Sequence, residues 1–239
     1  MPALVAALGA RREIAPGIAE LVFEMRAPAH LTFRAGQFVS IAVDEAEART
    51  GASTRRSYSI ASQTHEGGRL RFIIRVMPEG AASSYLMGLP VGAEVHLTGP
   101  HGFFVLDRVH AGDVVFGATG TGLAAIMPML GELAARPEAG RRHLFWGARQ
   151  EADLFARAEV EELAARAGAN LSIHLTAPSQ AWAGAQGRIT AAVLDALPSL
   201  TSPTFYLVGN GAMINELKRE LVARGINRKA QIRTEAFFD

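Results

Sequence analysis

The stretch Arg55-Arg-Ser-Tyr-Ser-Ile-Ala-Ser62 places a cation, an aromatic ring and hydroxyl groups on one short extended segment. Side chains alternate between the two faces of a strand, so we expect Arg56 and Tyr58 on one face. Ser57 and Ser59 then lie on the other. Together these groups can neutralise a phosphate, stack on a tricyclic ring and bond a ring nitrogen. The segment predicts a strand that binds a flavin nucleotide; the alternative is an ordinary strand with a solvated polar face.

Length and composition describe a globular protein of one large or two ordinary domains, with 239 residues, 49% of them hydrophobic and 20% charged. A net charge of +1 gives no overall basic field for nucleic acid. No apolar run reaches the roughly 18 residues of a membrane span, and the first ten residues lack the basic start of a signal peptide. We expect a cytoplasmic monomer that binds neither nucleic acid nor membrane.

The sequence contains no cysteine. This excludes disulfides, thiolate nucleophiles and cysteine-ligated iron–sulfur clusters, so any electron transfer must use an organic cofactor. None of the seven histidines forms a pair with the short helical spacing of a zinc site. No metal site is predicted.

The two halves of the chain have different periodicity. Through about residue 107, short alternating or apolar stretches are separated by Gly and Pro, which is typical of a small antiparallel β-barrel. The predicted strands are 18–25, 37–43, 57–61, 70–76 and 94–97, with a short helix at 83–88 over an open barrel end.

After residue 113, apolar strand-like runs alternate with amphipathic helical runs. The predicted strands are 114–118, 142–148, 171–176, 204–208 and 231–234; the predicted helices are 123–135, 153–166, 190–197 and 212–224. This alternation predicts a five-stranded parallel sheet with helices on both faces and a ligand at the carboxyl ends of its strands. With a linker at 108–112, the expected domains are 1–107 and 113–239.

The turn Phe116-Gly-Ala-Thr-Gly-Thr-Gly-Leu123 ends the first parallel strand and opens a helix. Its glycines let backbone N–H groups approach an anion at a helix N-terminus. It does not fit the G-x-G-x-x-G fingerprint, because Ala125 stands at the position of the third glycine. The turn is either a pyridine nucleotide loop or a tight strand-to-helix connection.

Several motifs follow one another along the whole chain. They are Phe33-Arg-Ala-Gly-Gln-Phe38, Arg56-Ser-Tyr-Ser59, Pro78-Glu-Gly-Ala-Ala-Ser83, Gly102-Phe-Phe-Val-Leu-Asp107, Ala118-Thr-Gly-Thr121, Gly147-Ala-Arg-Gln-Glu-Ala-Asp-Leu154, Gly187-Arg-Ile189 and Gly209-Asn-Gly-Ala-Met213. In this order they resemble the ferredoxin–NADP reductases, in particular the bacterial ferredoxin/flavodoxin reductases. The resemblance implies an FAD-binding antiparallel barrel followed by an NADP-binding α/β domain.

The resemblance also implies roles for the flavin-binding residues. Arg56 contacts the FAD phosphates, Tyr58 stacks on the isoalloxazine ring, and Ser59 bonds near flavin N5. Further candidate contacts to the cofactor are Ser57, Ile74 and Val76.

The FAD pyrophosphate is expected at the start of the short helix. The candidate residues are Gly80, Ala81, Ala82 and Ser83, with Ser83 expected as the N-cap.

For the pyridine nucleotide, the resemblance implies that Thr119 and Thr121 reach the nicotinamide region. Gly209, Asn210 and Met213 are further candidate contacts.

Arg149 and Arg188 occupy positions where bacterial relatives bind the 2′-phosphate of NADPH, whereas a third arginine is replaced by Ala177. We therefore expect NADPH as the coenzyme; the alternative is that both arginines are merely structural or solvated.

Three further positions depart from the family pattern. Ala125 replaces a proline, Pro128 falls inside the following helix, and Val208 stands where many members have cysteine. The proline removes one helical hydrogen bond and is expected to bend the first turns.

The carboxyl-terminal residues are predicted to form a movable lid. Phe237 is expected to stack on the flavin face opposite Tyr58, and Glu235 to exchange a proton near N5. The alternative is that Phe237 and Phe238 only pack between the domains.

The leading functional hypothesis is an FAD enzyme that moves electrons between NADPH and ferredoxin or flavodoxin by hydride transfer at flavin N5. The alternatives are an NAD(P)H:flavin reductase and an oxygenase reductase component that needs a separate iron–sulfur partner. A non-enzymatic alternative is a regulatory subunit that binds FAD without turnover.

Overall fold

Two sheets organise the chain, one antiparallel and one parallel. The computed structural model describes residues 4–43, 55–110, 112–136 and 140–238. The sheets belong to two units, Met1–Val105 and Leu106–Asp239. The division lies just before the predicted linker, since Asp107 is held within the second unit. Its backbone N–H donates to the Tyr206 hydroxyl at 3.0 Å, and its carboxylate lies 3.0 Å from the Arg233 guanidinium.

The first unit contains a six-stranded antiparallel sheet. Its strands are β1 (Leu4–Ala15), β2 (Ile18–Ala27), β3 (Phe38–Ala42), β4 (Arg55–Ser59), β5 (Arg69–Arg75) and β6 (Glu94–His101), and the helix α1 covers Ala81–Gly88. The strand order is β4-β3-β6-β1-β2-β5. Strand β1 was not predicted, because Ala6, Ala7 and Leu8 are all buried and hide the alternation of a strand. It pairs with β2 through a tight turn at Gly17, whose φ is 66°.

The segment after β4 closes this sheet into a barrel. The Ile60 N–H donates to the Gln37 carbonyl at 3.0 Å, beside β3. The next N–H, that of Ala61, donates to the Arg71 carbonyl of β5 at 2.8 Å. Two consecutive residues thus join the two edges of the sheet, and the predicted antiparallel barrel is confirmed.

The second unit contains the parallel sheet. Its elements are β7 (Val114–Thr119), α2 (Leu123–Ala134), β8 (Arg142–Ala148), α3 (Arg157–Arg166), β9 (Ala169–Leu175), β10 (Ala185–Gln186), α4 (Ile189–Ala196), β11 (Thr204–Asn210), α5 (Gly211–Ala223), α6 (Arg228–Gln231) and β12 (Ile232–Phe238). The order is β10-β9-β8-β7-β11-β12. The predicted α/β domain is confirmed, but within the described residues the sheet has six strands rather than five, because the two-residue β10 extends its edge.

Two predicted helices differ in detail. Helix α3 begins at Arg157 rather than at residue 153, since Glu151–Asp153 form a short 3-10 turn and Ala156 has a left-handed φ of 45°. Helix α2 runs through Pro128 without interruption. The expected bend therefore does not break the helix.

Arg142 anchors the amino end of β8. Its buried guanidinium donates to the carbonyls of Leu133 at 2.9 Å, Ala167 at 2.6 Å and Arg136 at 2.9 Å. These carbonyls lie at the carboxyl ends of α2 and α3, where a cation is favourable. The helices are thus tied to the sheet from its amino end, which leaves the carboxyl edge of the strands for a ligand.

Candidate functional site

Strand β4 forms an edge of the barrel sheet and carries the predicted flavin residues. In its register with β3, Tyr58 lies opposite Val39 and Arg56 opposite Ile41. Since Val39 and Ile41 are buried, Arg56 and Tyr58 share the core-facing side of the sheet. The structure thus places this cation and this ring on one face, two residues apart.

The Tyr58 ring is half-buried and packs against the barrel core. Its centroid lies 6.4 Å from that of Phe72. Burial raises the pKa of the Tyr58 phenol to about 12, and the nearby Arg56 charge opposes this only in part. The ring is therefore a neutral surface at physiological pH. Arg56 is exposed, and its guanidinium donates to the Arg55 carbonyl at 3.0 Å.

Ser57 and Ser59 lie on the opposite side of β4 from Tyr58. Ser59 is the last residue of the strand and pairs with Phe38, which in turn pairs with His101 of β6. A ligand near both Tyr58 and Ser59 must therefore lie at the end of β4.

The start of α1 differs from the prediction. The helix begins at Ala81, its N-cap is Gly80, and Ser83 is its third residue. The buried Ser83 hydroxyl accepts from the Met77 N–H at 3.1 Å and lies 3.0 Å from the Met77 carbonyl. Ser83 therefore does not cap the helix. It fixes the preceding loop instead.

Gly80 keeps this helix start open. A Cβ at Gly80 would lie 2.8 Å from both Met77 Cβ and Ser83 Oγ, so no other residue fits without a shift of the loop. No side chain caps the helix within the described residues. The N–H groups of Ala81 and Ala82 are thus available to an anion. This arrangement fits a phosphate of FAD.

Two other predicted flavin contacts are restricted by the barrel. The Ile74 side chain is buried in the core, so this residue can offer a ligand only its backbone. The Val76 N–H donates to the Gly17 carbonyl at 2.8 Å, and the Val76 side chain packs partly against the core.

In the second unit, two turns at the carboxyl edge of the parallel sheet pack backbone against backbone. Gly209 has a φ of 116°, and a Cβ there would lie 2.6 Å from the Thr119 carbonyl oxygen. A Cβ at Gly122 would lie 2.9 Å from Gly209 Cα. The turn after β7 and the turn after β11 therefore require glycine for close approach rather than for flexibility alone.

Thr119 joins these two turns. Its Oγ1 accepts from the Asn210 N–H at 2.9 Å, which leaves the hydroxyl hydrogen to be donated elsewhere. Thr119 is half-buried, whereas Thr121 is buried. Of the two predicted threonines, Thr119 is the better placed to donate to a ligand.

Asn210 and Met213 have structural roles that the motif alone did not reveal. The Asn210 side chain accepts from the Met213 N–H at 3.0 Å and caps α5. The Met213 side chain is buried in the core of the second unit. These contacts leave Gly209 and the exposed amide of Asn210 as the parts of this motif that a ligand can reach.

The two predicted phosphate-binding arginines are both exposed. Arg149 directly follows β8, and its guanidinium has no hydrogen-bond or ion-pair partner within the described residues. Arg188 stands at the N-cap position of α4, and its guanidinium lies 3.8 Å from the Glu216 carboxylate. The predicted assignment to the 2′-phosphate stays a proposal for both.

Strand β12 continues to Phe238, beyond the predicted end at residue 234. Glu235 pairs with Val208, and Ala236 with Gly209. The predicted lid is therefore the end of an edge strand rather than a tail outside the sheet. Glu235 and Phe237 are half-buried, and Phe237 is the extra residue of an irregularity between Ala236, which pairs with Gly209, and Phe238, which pairs with Asn210. The Phe238 side chain lies outside the described part.

The sequence analysis missed a contact between the loops after β8 and β9. The Ser179 N–H and hydroxyl both donate to the Glu151 carboxylate, at 3.0 and 2.5 Å. The two residues are 28 positions apart, and neither belongs to a motif that pairs them.

Among the described residues, no group of His, Cys, Asp and Glu could hold a metal ion. The described helices include none that is long and apolar enough to cross a membrane.

Comparison with known families accounts for both units. Residues 6–106 match the oxidoreductase FAD-binding domain, and residues 116–219 match the oxidoreductase NAD-binding domain. The predicted flavin and pyridine nucleotide cofactors are thus supported by two independent matches. The chain is an FAD- and NAD(P)-dependent oxidoreductase.

Its relatives identify the family more closely. The chain is 32% identical over 227 residues to ferredoxin–NADP reductase B of Sorangium cellulosum, a match that covers 92% of this chain and 91% of the relative. It therefore belongs to the ferredoxin–NADP reductase family. It is also 32% identical over 219 residues to the anthranilate 1,2-dioxygenase electron transfer component of Acinetobacter baylyi, covering 87% of this chain but 62% of that relative.

Solved structures show the same fold. The cytochrome P450 reductase GcoB of Amycolatopsis is similar over 100% of this chain and 70% of its own, with a TM-score of 0.87 and 27% identity. The FAD/NAD-binding domain of a nitric oxide dioxygenase from Vibrio cholerae matches 99% of each chain with a TM-score of 0.82 at 22% identity.

Proposed function

We propose that this protein transfers electrons between NADPH and a small carrier protein, a ferredoxin or flavodoxin, through bound FAD. The observation that carries the proposal is the match over 92% of the chain to a reductase named for ferredoxin and NADP. The neutral Tyr58 ring and the uncapped start of α1 support it, because they fit the ring and a phosphate of FAD.

Each flavin-site residue has a distinct task in this proposal. Arg56 neutralises a phosphate, and the first N–H groups of α1 bind phosphate oxygens. Tyr58 supplies a flat surface that carries no charge at neutral pH, and Ser59 donates to a ring nitrogen. Bound at these residues, FAD would supply the redox chemistry, as an acceptor of hydride from NADPH and a donor of single electrons to the carrier.

The second unit binds and orients the coenzyme. The free hydrogen of the Thr119 hydroxyl donates to the nicotinamide carboxamide, while Arg149 and Arg188 bind the 2′-phosphate. Because a ferredoxin takes one electron, each NADPH reduces two carriers and releases one proton.

The second candidate is the reductase component of an oxygenase. Relatives of this kind support it, including the anthranilate component and component C of methane monooxygenase from Methylosinus trichosporium, which is 39% identical over 141 residues. The chain spans 62% and 39% of these two relatives. The given sequence has no cysteine to ligate an iron–sulfur cluster, so in this role the cluster lies outside the given residues.

An anaerobic titration tests the proposal. The purified protein is analysed for its extracted cofactor, reduced with NADPH or NADH, and then mixed in turn with ferredoxin, flavodoxin, an oxygenase-type iron–sulfur protein and free flavin. We expect one FAD per chain, bleaching by NADPH and fast reoxidation by ferredoxin or flavodoxin.

Each other outcome selects an alternative. Turnover only with the oxygenase-type carrier favours the second candidate, and turnover only with free flavin indicates a flavin reductase. A yellow protein that NADPH does not bleach indicates a regulatory subunit. The cytoplasmic location and the monomeric state stay predictions, and size-exclusion chromatography with light scattering checks the latter.

A further inference from the structure

The loops after β8 and β9 are joined by consecutive hydrogen bonds beyond the ends of the strands. The Thr176 N–H donates to the Ala148 carbonyl at 3.1 Å, and the Ala177 N–H donates to the Arg149 carbonyl at 2.7 Å. The Ser179 N–H and hydroxyl then bind the Glu151 carboxylate. We call this contact between Ser179 and Glu151 the clasp.

The loop that carries Ser179 is fixed further along by Trp182. The indole N–H donates to the Ala185 carbonyl at 3.0 Å, and the Arg157 guanidinium lies 5.7 Å from the centre of the ring. Ser179 therefore belongs to a loop with several fixed points, and the clasp holds Glu151 in a defined position.

The end of β8 carries two residues with opposite preferences for a coenzyme. At the second strand of a nucleotide-binding sheet, an acidic residue accepts hydrogen bonds from the ribose hydroxyls of NADH, whereas an arginine binds the 2′-phosphate of NADPH. Arg149 and Glu151 are two positions apart at this strand end. Coenzyme choice thus depends on which of the two is available.

The clasp makes Glu151 less available to a coenzyme than Arg149. The Ser179 hydroxyl holds the pKa of the Glu151 carboxyl below its usual range, so the group is an anion at neutral pH. The Ser179 N–H and hydroxyl take part of the acceptor capacity of this carboxylate and hold it against the loop after β9. The Arg149 guanidinium has no partner among the described residues.

We infer that Ser179 is a specificity-determining residue that acts through Glu151. By holding the carboxylate against the loop after β9, Ser179 keeps Glu151 from turning to the ribose hydroxyls, and Arg149 is left to select the 2′-phosphate. This inference rests on the proposed use of NADPH, and it assigns the preference to a positioning residue that contacts no coenzyme itself.

Binding of two half-ligands tests the clasp without electron transfer. Calorimetry measures the affinities of the full-length protein for 2′,5′-ADP, which has the 2′-phosphate, and for 5′-AMP, which has a free 2′-hydroxyl. Ser179→Ala removes the hydroxyl bond to Glu151 and keeps the backbone N–H bonds. We expect it to lower the ratio of the two affinities about fivefold, mainly through tighter binding of 5′-AMP, since about one net hydrogen bond from the ribose to Glu151 is gained. The double variant Ser179→Ala with Glu151→Ala should lose this gain.

Ser199→Ala is the matched control, because its exposed hydroxyl donates only to the Ala196 carbonyl, outside both loops. If Ser179→Ala shifts the ratio no more than Ser199→Ala does, or if the double variant keeps the gain, the clasp has no role in selection. A native protein that does not favour 2′,5′-ADP contradicts the proposed coenzyme. The clasp can still be tested in that case. It has a role if Ser179→Ala shifts the ratio of the two affinities toward 5′-AMP and the additional Glu151→Ala substitution reverses this shift.

Discussion

The two units present their candidate ligand sites in different ways. In the first, the exposed strand β4 displays side chains, with Arg56 and Tyr58 on one face. In the second, the turns around Gly122 and Gly209 pack so closely that the site is formed mainly by backbone. A side-chain site can lose one group and keep its shape. A backbone site depends on the absence of side chains, so we expect it to tolerate far less change.

The largest expected effect follows from adding one methyl group to the backbone site. Gly209→Ala places a Cβ 2.6 Å from the Thr119 carbonyl, at a φ of 116°. We expect the second unit to lose about 3 kcal/mol or more and its affinity for NADPH, while FAD stays bound. Denaturation followed by tryptophan fluorescence and coenzyme titration measure both losses.

Gly225→Ala is the control for backbone strain. Gly225 also has a positive φ, of 89°, but a Cβ there meets no atom within 4 Å. We expect a cost of about 1 kcal/mol and normal coenzyme binding. Equal losses in the two variants would show that strain, rather than close packing of the turns, explains the glycine at 209.

The same contrast explains how much the sequence could predict. The strand Arg55–Ser59 was predicted two residues too late, at 57–61. It was recognised as a strand because its alternating side chains match the groups of a flavin nucleotide. The structural role of Met213 was missed, because its burial depends on strands and a helix that are distant in sequence. Serine is a favoured N-cap residue, but the Ser83 hydroxyl accepts a hydrogen bond from the Met77 N–H in the preceding loop instead. The pairing of Glu151 with Ser179 depends on the register of two strands, which no local pattern contains.

The next largest effect tests the side-chain site. Arg56→Ala removes the exposed cation and should raise the dissociation constant of FAD between about 10-fold and 100-fold, the effect of a charge-assisted bond worth about 1.5–3 kcal/mol. Arg55→Ala is the matched control on the opposite face of β4, where the guanidinium donates to the Ser40 carbonyl at 3.2 Å. Similar FAD loss in both variants would argue against a specific phosphate contact of Arg56.

A smaller effect is expected from the two arginines of the second unit. Arg149→Ala should raise the KM for NADPH about tenfold, because the Arg149 guanidinium has no partner within the described residues and all its donors can bind the phosphate. Arg188→Ala should raise the KM for NADPH only about threefold. The Arg188 side chain is 76% exposed, and its guanidinium also lies 3.8 Å from the Glu216 carboxylate. Steady-state kinetics with NADH, whose KM should not change, show whether the loss is specific to the 2′-phosphate.

Truncation of the end of β12 should have a modest effect on the flavin spectrum and on coenzyme binding. Removal of residues 237–239 takes away the ring predicted to cover the flavin, so we expect altered flavin absorbance and a KM for NADPH that falls about threefold, the scale of one ring contact. FAD should remain bound. An unchanged spectrum together with unchanged kinetics would leave Phe237 only a packing role.

The smallest expected effect is a difference in how the two units respond to acid. In the second unit, burial lowers the pKa values of His143 and His174, and His143 Nε2 has no hydrogen-bond partner within the described residues. In the first unit, burial of Glu20 would raise the pKa of its carboxyl, but hydrogen bonds and charge from Arg12 and Arg71 outweigh burial and hold it below its usual range.

These shifts act in different pH windows. A histidine whose folded pKa is lowered takes up a proton more readily when unfolded, so the second unit should lose stability as the pH falls below about 6.5. A carboxyl whose folded pKa is lowered contributes stability that is lost only as the pH falls below about 4.3. Between pH 6.5 and 5, the second unit should therefore weaken first.

The tryptophans make this difference measurable, because both of them, Trp146 and Trp182, lie in the second unit. Urea denaturation followed by tryptophan fluorescence should show a falling free energy of unfolding between pH 7 and 5, while flavin absorbance follows the first unit. His143→Phe keeps an aromatic ring beside Phe145, on which His143 stacks at 6.3 Å, and removes the buried Nε2. The variant should reduce the slope of the free energy of unfolding against pH, without loss of stability at pH 8. A slope equal to that of the native protein would mean that His143 does not contribute to the acid sensitivity of this sheet.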